Sequence, residues 1–178
     1  VEIAVVAEPQ PRWLSFLNGQ ADFARVPPEL SPIAAPNGKI APNLAKQGIQ
    51  LRRFLNCDVA MTYFNMEDPV VGGNAPAKVA LRRAVQLAYD IDYEIRIIRR
   101  GQAIAAQAPI PPGTYGFDPT LRTANSSHSV ARANALLDIY GYVDRNGDGW
   151  REQPDGSPLV ITLASEPELV SRQYDENW

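Results

Sequence analysis

The residues with the clearest chemical potential lie in one short run near the C-terminal end of the sequence, DRNGDGWREQPD. Asp144, Asn146 and Asp148 stand at every second position, and Gly149 follows them. Oxygen side chains at this spacing, with a glycine at the sixth place, match the first half of an EF-hand calcium loop. The spacing raises the possibility of a Ca²⁺ site with Asp144, Asn146, Asp148 and Asp155 as its side-chain ligands.

The second half of the run fits a calcium loop less well. Place 12 is Asp155, which is one carbon shorter than the bidentate Glu usual at that place. Gly141 breaks the preceding helical pattern, and Pro154 and Pro158 prevent a helix after the run. These flanks favour a structural turn, with the Ca²⁺ site as the alternative. No other cofactor is expected.

The structural alternative makes predictions of its own. Asp144 and Asn146 form turns in which their side-chain oxygens accept backbone N–H groups, and the two glycines of the run take left-handed conformations. The letters EQPDGS then predict a second turn. Residues 150–152 and 159–163 are expected to be the arms of a hairpin around it.

The other reactive side chains do not form a catalytic set. Asp90 and Asp92 stand two apart on a predicted helix, so they face different ways; Asp92 is expected to cap a helix and Asp90 to pair with an arginine. His128 is the single histidine and has no GxSxG motif near it. Cys57 is a lone cysteine and is expected to be an apolar free thiol. The chain is therefore not expected to be an enzyme, and no catalytic residue is predicted. The alternatives to a binding function are a calcium-stabilised structural module built on Asp144–Asp155 and a hydrolase that uses a carboxylate or His128.

The bulk composition indicates an ordinary globular domain. The 178 residues are 45% hydrophobic and 21% charged. The net charge of −3 argues against a nucleic-acid partner. No apolar run approaches the roughly 20 residues of a membrane helix, so direct membrane insertion is not expected.

Strand-like and helix-like segments alternate along the chain, which predicts a single α/β domain over residues 1–178 with a mixed sheet flanked by helices. The β-rich runs cover residues 1–6, 21–26, 49–55, 59–66 and 158–164. Helical patterns cover residues 9–19, 28–34, 38–47, 76–92, 93–100, 129–140 and 166–178. Both ends look cut through elements, so the chain is expected to be a piece of a longer protein.

The strongest helical pattern is PAKVALRRAVQLAYDID. Its apolar residues, of which Leu81 is the central one, recur at helical spacing, whereas Lys78, Arg82, Arg83 and Gln86 are expected to face water.

A candidate ligand surface precedes this helix. Tyr63, Phe64 and Asn65 end a predicted strand just before a glycine-bearing loop. Ligand clefts in α/β proteins lie at such strand ends, which makes these three residues the candidate ligand contacts. The alternative is a core strand whose aromatic side chains pack inward.

Five segments in this order resemble a known family. They are WLSFLNGQADFARVPPE, the strand ending in Asn65, LRRAVQLAYDID, RRGQAIAAQAPIPPG, and ARANALLDIYGYVDRNGDGWRE followed by PLVITLASEP. Together they are similar to the family 5 extracellular solute-binding proteins of ABC importers, the group named for oligopeptide and dipeptide binding. The resemblance covers nearly the whole chain.

The resemblance implies a fold and a function. The fold is the bilobed, type II periplasmic-binding-protein fold, of which this chain is part of the second lobe, with the first lobe and the C-terminal end absent. A peptide or similar small molecule is captured between two lobes and delivered to the ABC permease at the periplasmic or extracellular face of the membrane. The signal segment is not in this sequence. Tyr63, Phe64 and Asn65 lie near the interlobe region, and Asp144–Gly149 is a structural turn.

Overall fold

Helices are the regular structure of the residues that the computed structural model describes, namely 2–123, 127–165 and 169–178. Seven α-helices lie in these ranges: α1 (Pro9–Leu17), α2 (Ser31–Ala34), α3 (Pro42–Ala45), α4 (Pro76–Ala88), α5 (Ile91–Tyr93), α6 (Val130–Ile139) and α7 (Leu169–Asp175). Two short 3₁₀ helices cover Pro28–Leu30 and Pro36–Gly38, and a π-helix covers Glu94–Ile98. Val1 and residues 166–168, where a strand and a helix were predicted to begin, lie outside the described residues.

The predicted mixed sheet is not confirmed. Within the described ranges the β-rich runs form no ladder, and the one β-bridge found there joins Glu152 to Pro158 in antiparallel fashion. The expected hairpin of residues 150–152 and 159–163 is therefore reduced to this single bridge. β-branched and aromatic residues favour a pleated, half-buried surface, but a β-ladder also requires a partner strand in the correct position.

The chain divides into two compact units. Unit 1 comprises Val1–Phe54 and Ile95–Ala103, and unit 2 comprises Leu55–Glu94 and Ile104–Trp178. The single domain over residues 1–178 stays a prediction.

Unit 1 has its own hydrophobic core around Trp13 of α1. The buried residues there are Trp13, Ala34, Ala41 and Leu44. Prolines in the first turn begin α1 without a side-chain cap, because a proline lacks the N–H that would need one. Gly19, at φ 72°, follows the end of the helix.

Unit 2 is built on the packing of α4 against α6. Leu81 of α4, with Val71 and Tyr142, forms one buried cluster, while the second consists of Ala84, Leu87 and Ala133. The backbone N–H of Ser129 donates to the Leu87 carbonyl at 2.7 Å, which ties the start of α6 to the end of α4. The predicted helix at residues 76–92 is thus confirmed over Pro76–Ala88.

The end of α6 sets the position of the segment that follows it. Tyr142 donates its N–H to the Leu137 carbonyl at 3.0 Å, and Gly141 donates its N–H to the Asp138 backbone carbonyl at 3.1 Å. These two bonds, with Gly141 at φ 83°, make a Schellman motif. The motif turns the chain so that Tyr142 enters the core beside Leu137, and the DRNGDG run begins directly after it.

Two predictions about α4 and α5 are wrong. The cap of the short helix after α4 is Asp90, not Asp92, since the Asp90 carboxylate accepts the N–H of Tyr93 at 2.9 Å. Arg82 and Lys78 do not face water but are half-buried, and both donate to carbonyls of the loop before α4.

Candidate functional site

The loop that follows the candidate ligand residues is held by its own side chains. Asn65 Oδ1 accepts the N–H of Glu67 at 3.0 Å. Asp68 Oδ1 accepts the N–H groups of Val71 at 2.9 Å and Val70 at 2.8 Å. These bonds to the Val71 and Val70 amides lower the pKa of the Asp68 carboxyl, because they favour its charged form. The loop is therefore a fixed structure and needs no ligand to define it.

Helix α4 also holds this loop. Arg82 Nη1 donates to the carbonyls of Val71 at 2.6 Å and Gly73 at 2.8 Å, and Lys78 donates to the Pro69 carbonyl. Gly72 lies so close to the preceding backbone that an added Cβ would fall 2.4 Å from the Met66 carbonyl oxygen. A side chain at this position would force the loop backbone at Met66 and Asp68 to shift.

The three candidate ligand residues have different surroundings. Tyr63 is 84% exposed. Phe64 packs against the buried cluster of Val71, Leu81 and Tyr142, so it has the inward packing of the alternative interpretation. Asn65 is occupied in the turn just described. Tyr63, which lies two residues before Asn65, is the one whose side chain is most available to a solute. The role of all three residues in binding stays a prediction.

The DRNGDG run forms the structural turn expected of it. Asp144 accepts the N–H of Gly147 at 2.6 Å through Oδ1 and that of Gly149 at 2.8 Å through Oδ2. Asn146 Oδ1 accepts the N–H of Asp148 at 2.9 Å. Gly147 and Gly149 have φ values of 77° and 91°, which confirms the predicted left-handed conformations.

The Asp144 carboxylate is stabilised in its charged form. The N–H of Gly149 is the largest cause that lowers the pKa of Asp144. Burial opposes it, and the N–H of Gly147 adds a smaller lowering, so that the pKa of Asp144 lies below its ordinary value. The turn thus depends on an ionised side chain.

Three carboxylates approach one another in this segment. One oxygen each from Asp144, Asp148 and Glu152 lies within 4.8 Å of the other two. The positive group beside them is Arg145, which lies 4.0 Å from Glu152 through its Nη1 and donates its backbone N–H to Glu152 at 2.8 Å. Asp148 Oδ1 accepts the N–H of Trp150 at 2.8 Å. Backbone donors and an arginine therefore already stabilise these negative charges.

Asp155, the expected ligand at place 12, does not join these carboxylates. Its Oδ1 accepts the N–H of Ser157 at 2.9 Å and the Ser157 hydroxyl at 2.7 Å. Gln153 donates its N–H to the Ser157 carbonyl at 2.8 Å, and Gly156 has a φ of 87°. The EQPDGS turn is thus confirmed as a separate turn, and an EF-hand arrangement ending at Asp155 is not formed.

Two arginines bind the turn to the helix before it. Arg145 Nη2 donates to the Gly141 carbonyl at 2.9 Å, and its Nη1 donates to the Gln153 backbone carbonyl at 3.0 Å. Arg151 forms an ion pair with Asp138 of α6 and also donates to the Tyr142 carbonyl. The sequence pattern of oxygen side chains gave no sign of these arginine contacts, because they depend on where α6 ends.

The side chains considered for catalysis do not assemble into a reactive set within the described residues. Asp90 pairs with His128 at 3.7 Å rather than with an arginine as expected. Asp92 is exposed. Cys57 is also exposed, and its Sγ lies next to Gly113. None of the helices in the described ranges has the length and apolar character needed to cross a bilayer.

Comparison with known proteins adds a family. Residues 1–174 match the family model described as bacterial extracellular solute-binding proteins, family 5 Middle. No curated protein matches the chain significantly.

One solved structure similar to the chain is the periplasmic oligopeptide-binding protein of an oligopeptide ABC transporter from Thermotoga maritima. The two share 23% identity with a TM-score of 0.43, over 55% of this chain and 19% of that chain. The chain thus spans about a fifth of the length of that protein.

Proposed function

Because the chain belongs to family 5 of the bacterial extracellular solute-binding proteins, we propose that it is part of the receptor of an ABC import system. The observation that carries this proposal is the family match over residues 1–174. The solute is a peptide or a similar small molecule, and the permease of the importer receives it at the periplasmic or extracellular face of the membrane.

The mechanism we propose is capture without chemistry. The chain forms part of one lobe, and a solute is enclosed when two lobes close around it, a hinge motion common among binding proteins. Burial and hydrogen bonds hold the solute, and no bond is made or broken. We therefore expect binding to need the whole protein, and the isolated 178-residue chain to show no high-affinity binding.

The loop before α4 supports a role for Tyr63 in this capture. A loop fixed by Asp68 and Arg82 presents its neighbouring residues without having to be ordered on binding, which lowers the entropy cost of association. Tyr63 offers a large, rigid side chain with a hydroxyl at its tip, and such side chains are frequent anchors in binding surfaces. We assign Tyr63 the role of a solute contact.

The first experiment is mass spectrometry of small molecules released from the full-length protein that contains this chain, after gentle purification. We expect a defined peptide or other solute in near-equal amount to the protein. A folded protein that repeatedly releases nothing, and whose melting temperature does not change with a library of peptides, would contradict the proposal.

Tyr63→Ala tests the residue itself once a solute is known. We expect the affinity of the full-length protein to fall about tenfold, the loss typical of a buried aromatic anchor. Tyr115→Ala is the matched control, since Tyr115 is also a fully exposed tyrosine of unit 2. Equal losses in the two variants, or no loss in either, would remove Tyr63 from the binding site.

A further inference from the structure

The charges of the chain are divided unevenly between its two units. Unit 1 has nine Lys and Arg against four Asp and Glu, a net charge of +5. Unit 2 has eight Lys and Arg against sixteen Asp and Glu, a net charge of −8. The overall value of −3 hides this division, and a unit of +5 among roughly sixty residues is a basic surface in its own right.

Part of this positive charge is gathered at one place by Arg53. Its Nη2 donates to the Gly101 carbonyl at 3.4 Å, across 48 residues of sequence. Its Nη1 lies against Gly38, where an added Cβ would be only 2.5 Å away. Three separate segments of unit 1 therefore meet at the Arg53 guanidinium.

Each of the three residues that meet there has a cationic neighbour in the chain. Lys39 follows Gly38, Arg52 precedes Arg53, and Arg100 precedes Gly101. We call Lys39, Arg52, Arg53 and Arg100 the basic cluster. All four are exposed, and none forms an ion pair with a residue of the described ranges.

The segments of the basic cluster contain no acidic residue that would balance it. Residues 36–40, 50–54 and 95–103 include no Asp or Glu. Like charges that lie near one another repel, and an anionic partner relieves this repulsion. The cluster is thus suited to a partner that supplies several negative charges at once.

The chemistry of the cluster favours phosphate groups in a lipid layer. Three of its four cations are arginines, whose planar guanidinium binds phosphate oxygens bidentately. Phe54, directly after Arg53, is 71% exposed, and Ile97 on the π-helix is 36% exposed. Arginines beside exposed aromatic and aliphatic side chains are typical of surfaces that rest on the headgroup region of a bilayer.

We propose that the basic cluster of unit 1 docks on a membrane surface that contains anionic phospholipids. The association is peripheral and reversible, and it does not depend on whether the protein captures a solute. It weakens as the salt concentration rises, because each contact is between exposed charges that salt screens.

The test is co-sedimentation of the full chain with vesicles. One set contains equal parts of phosphatidylcholine and phosphatidylglycerol, and the other contains phosphatidylcholine alone. We expect binding to the anionic vesicles at low salt and loss of it at high salt. Each basic residue near such a surface contributes on the order of 1 kcal/mol, so Arg52→Gln with Arg100→Gly lowers the partition coefficient about thirtyfold.

The choice of substitutions keeps the fold intact. Arg53 is left in place because it joins the three segments, and glycine at position 100 suits the left-handed backbone of Arg100 at φ 50°. Arg12→Gln with Arg25→Gln is the control, since it removes the same charge from exposed positions of the same unit.

Four outcomes would overturn the proposal. An equal fall of the partition coefficient in the two double variants would show that binding depends on net charge and not on the basic cluster. Equally strong binding to the neutral vesicles would show that the apolar side chains are sufficient for it. Absence of binding to the anionic vesicles would also exclude it. A single-stranded oligonucleotide that binds the chain as tightly as the vesicles do would indicate a nucleic-acid partner instead.

Discussion

The carboxylate of Asp144 links the protonation of one side chain to the shape of a whole turn. It receives two backbone N–H groups, from Gly147 and Gly149, and both glycines adopt backbone conformations that other residues avoid. When the carboxylate is protonated, those N–H groups lose the charge that attracts them. The turn is therefore sensitive to acid.

The sign of this effect follows from the direction of the pKa shift. The pKa of Asp144 is lower in the folded chain than in the unfolded chain, so its stabilising effect is complete above the unfolded value of about 3.9 and is lost as the pH falls through the folded value. Asp68, Asp118 and Asp155 have lowered pKa values for the same reason, hydrogen bonds to the charged form, and add to the effect.

We expect Asp144→Asn to lower the melting temperature at neutral pH and to flatten the dependence of melting temperature on pH in the acid range. The amide keeps the size of the side chain but loses its charge. Thermal melts of the two proteins across the acid range measure this. Asp58→Asn, at an exposed position outside the turns, is the control and should follow the wild type.

Calcium is expected to leave the melting temperature of the chain unchanged at millimolar concentration. The carboxylates of Asp144, Asp148 and Glu152 are close together, but they already accept backbone N–H groups, and Arg145 supplies a positive charge beside Glu152. A melt with calcium and with a chelator decides the point. A rise in the midpoint that Asp148→Asn abolishes would establish a Ca²⁺ site.

The elements that were predicted correctly are those whose structure is determined by residues close together in the sequence. Helix α4 follows from a proline at its start and apolar residues at helical spacing, and both lie within its own 13 residues. The DRNGDG turn is equally local, since its side chains bind N–H groups two to five residues away.

The elements that sequence reasoning missed depend on distant residues. A mixed sheet needs strands to find partners, and the β-rich runs show no ladder within the described ranges. Arg82 looks solvent-exposed on a helical projection, but the loop at Val71 and Gly73 folds over it. Phe64 ends a β-rich run, which left a ligand contact and inward packing open; its packing against the cluster with Leu81 and Tyr142 depends on these distant residues, and its role in binding stays a prediction.

Adjacent arginines on α4 offer a matched test of the loop contact. Arg82→Gln removes two charge-assisted hydrogen bonds to loop carbonyls, one of them half-buried, and should reduce the free energy of unfolding by about 1–2 kcal/mol. Arg83→Gln removes an exposed charge and should stay within about 0.5 kcal/mol of wild type. Chemical denaturation gives both values, and equal losses would show that the loop contact adds nothing.

At the scale of the whole molecule, the two units have hydrophobic clusters with no member in common. Leu44→Ala in unit 1 leaves a cavity and should cost about 2–5 kcal/mol of the stability of that unit. We expect hydrogen exchange to quicken in unit 1 while the amides around Leu81 in unit 2 keep their protection. Leu81→Ala should have the converse effect.

The contrary result would also be informative. Equal loss of protection in both units after Leu44→Ala would show that the chain unfolds as one cooperative body, as the single domain predicted from the sequence requires. Surface variants that leave both cores intact, such as Arg83→Gln, serve as the baseline for this comparison.

The bonding of Asp144–Gly149 has a practical consequence for protein engineering. Asp144 and Asn146 accept the N–H groups of Gly147, Asp148 and Gly149 within the turn, and Glu152 accepts that of Arg145. The Schellman motif at Gly141 fixes the direction in which the segment leaves α6. The stretch from Leu137 to Gln153 is therefore a helix terminator that carries its own hydrogen-bond acceptors. Grafted after an unrelated surface helix, it should keep its shape where the host supplies an apolar surface to cover Tyr142, which is buried against Val71 and Leu81 here.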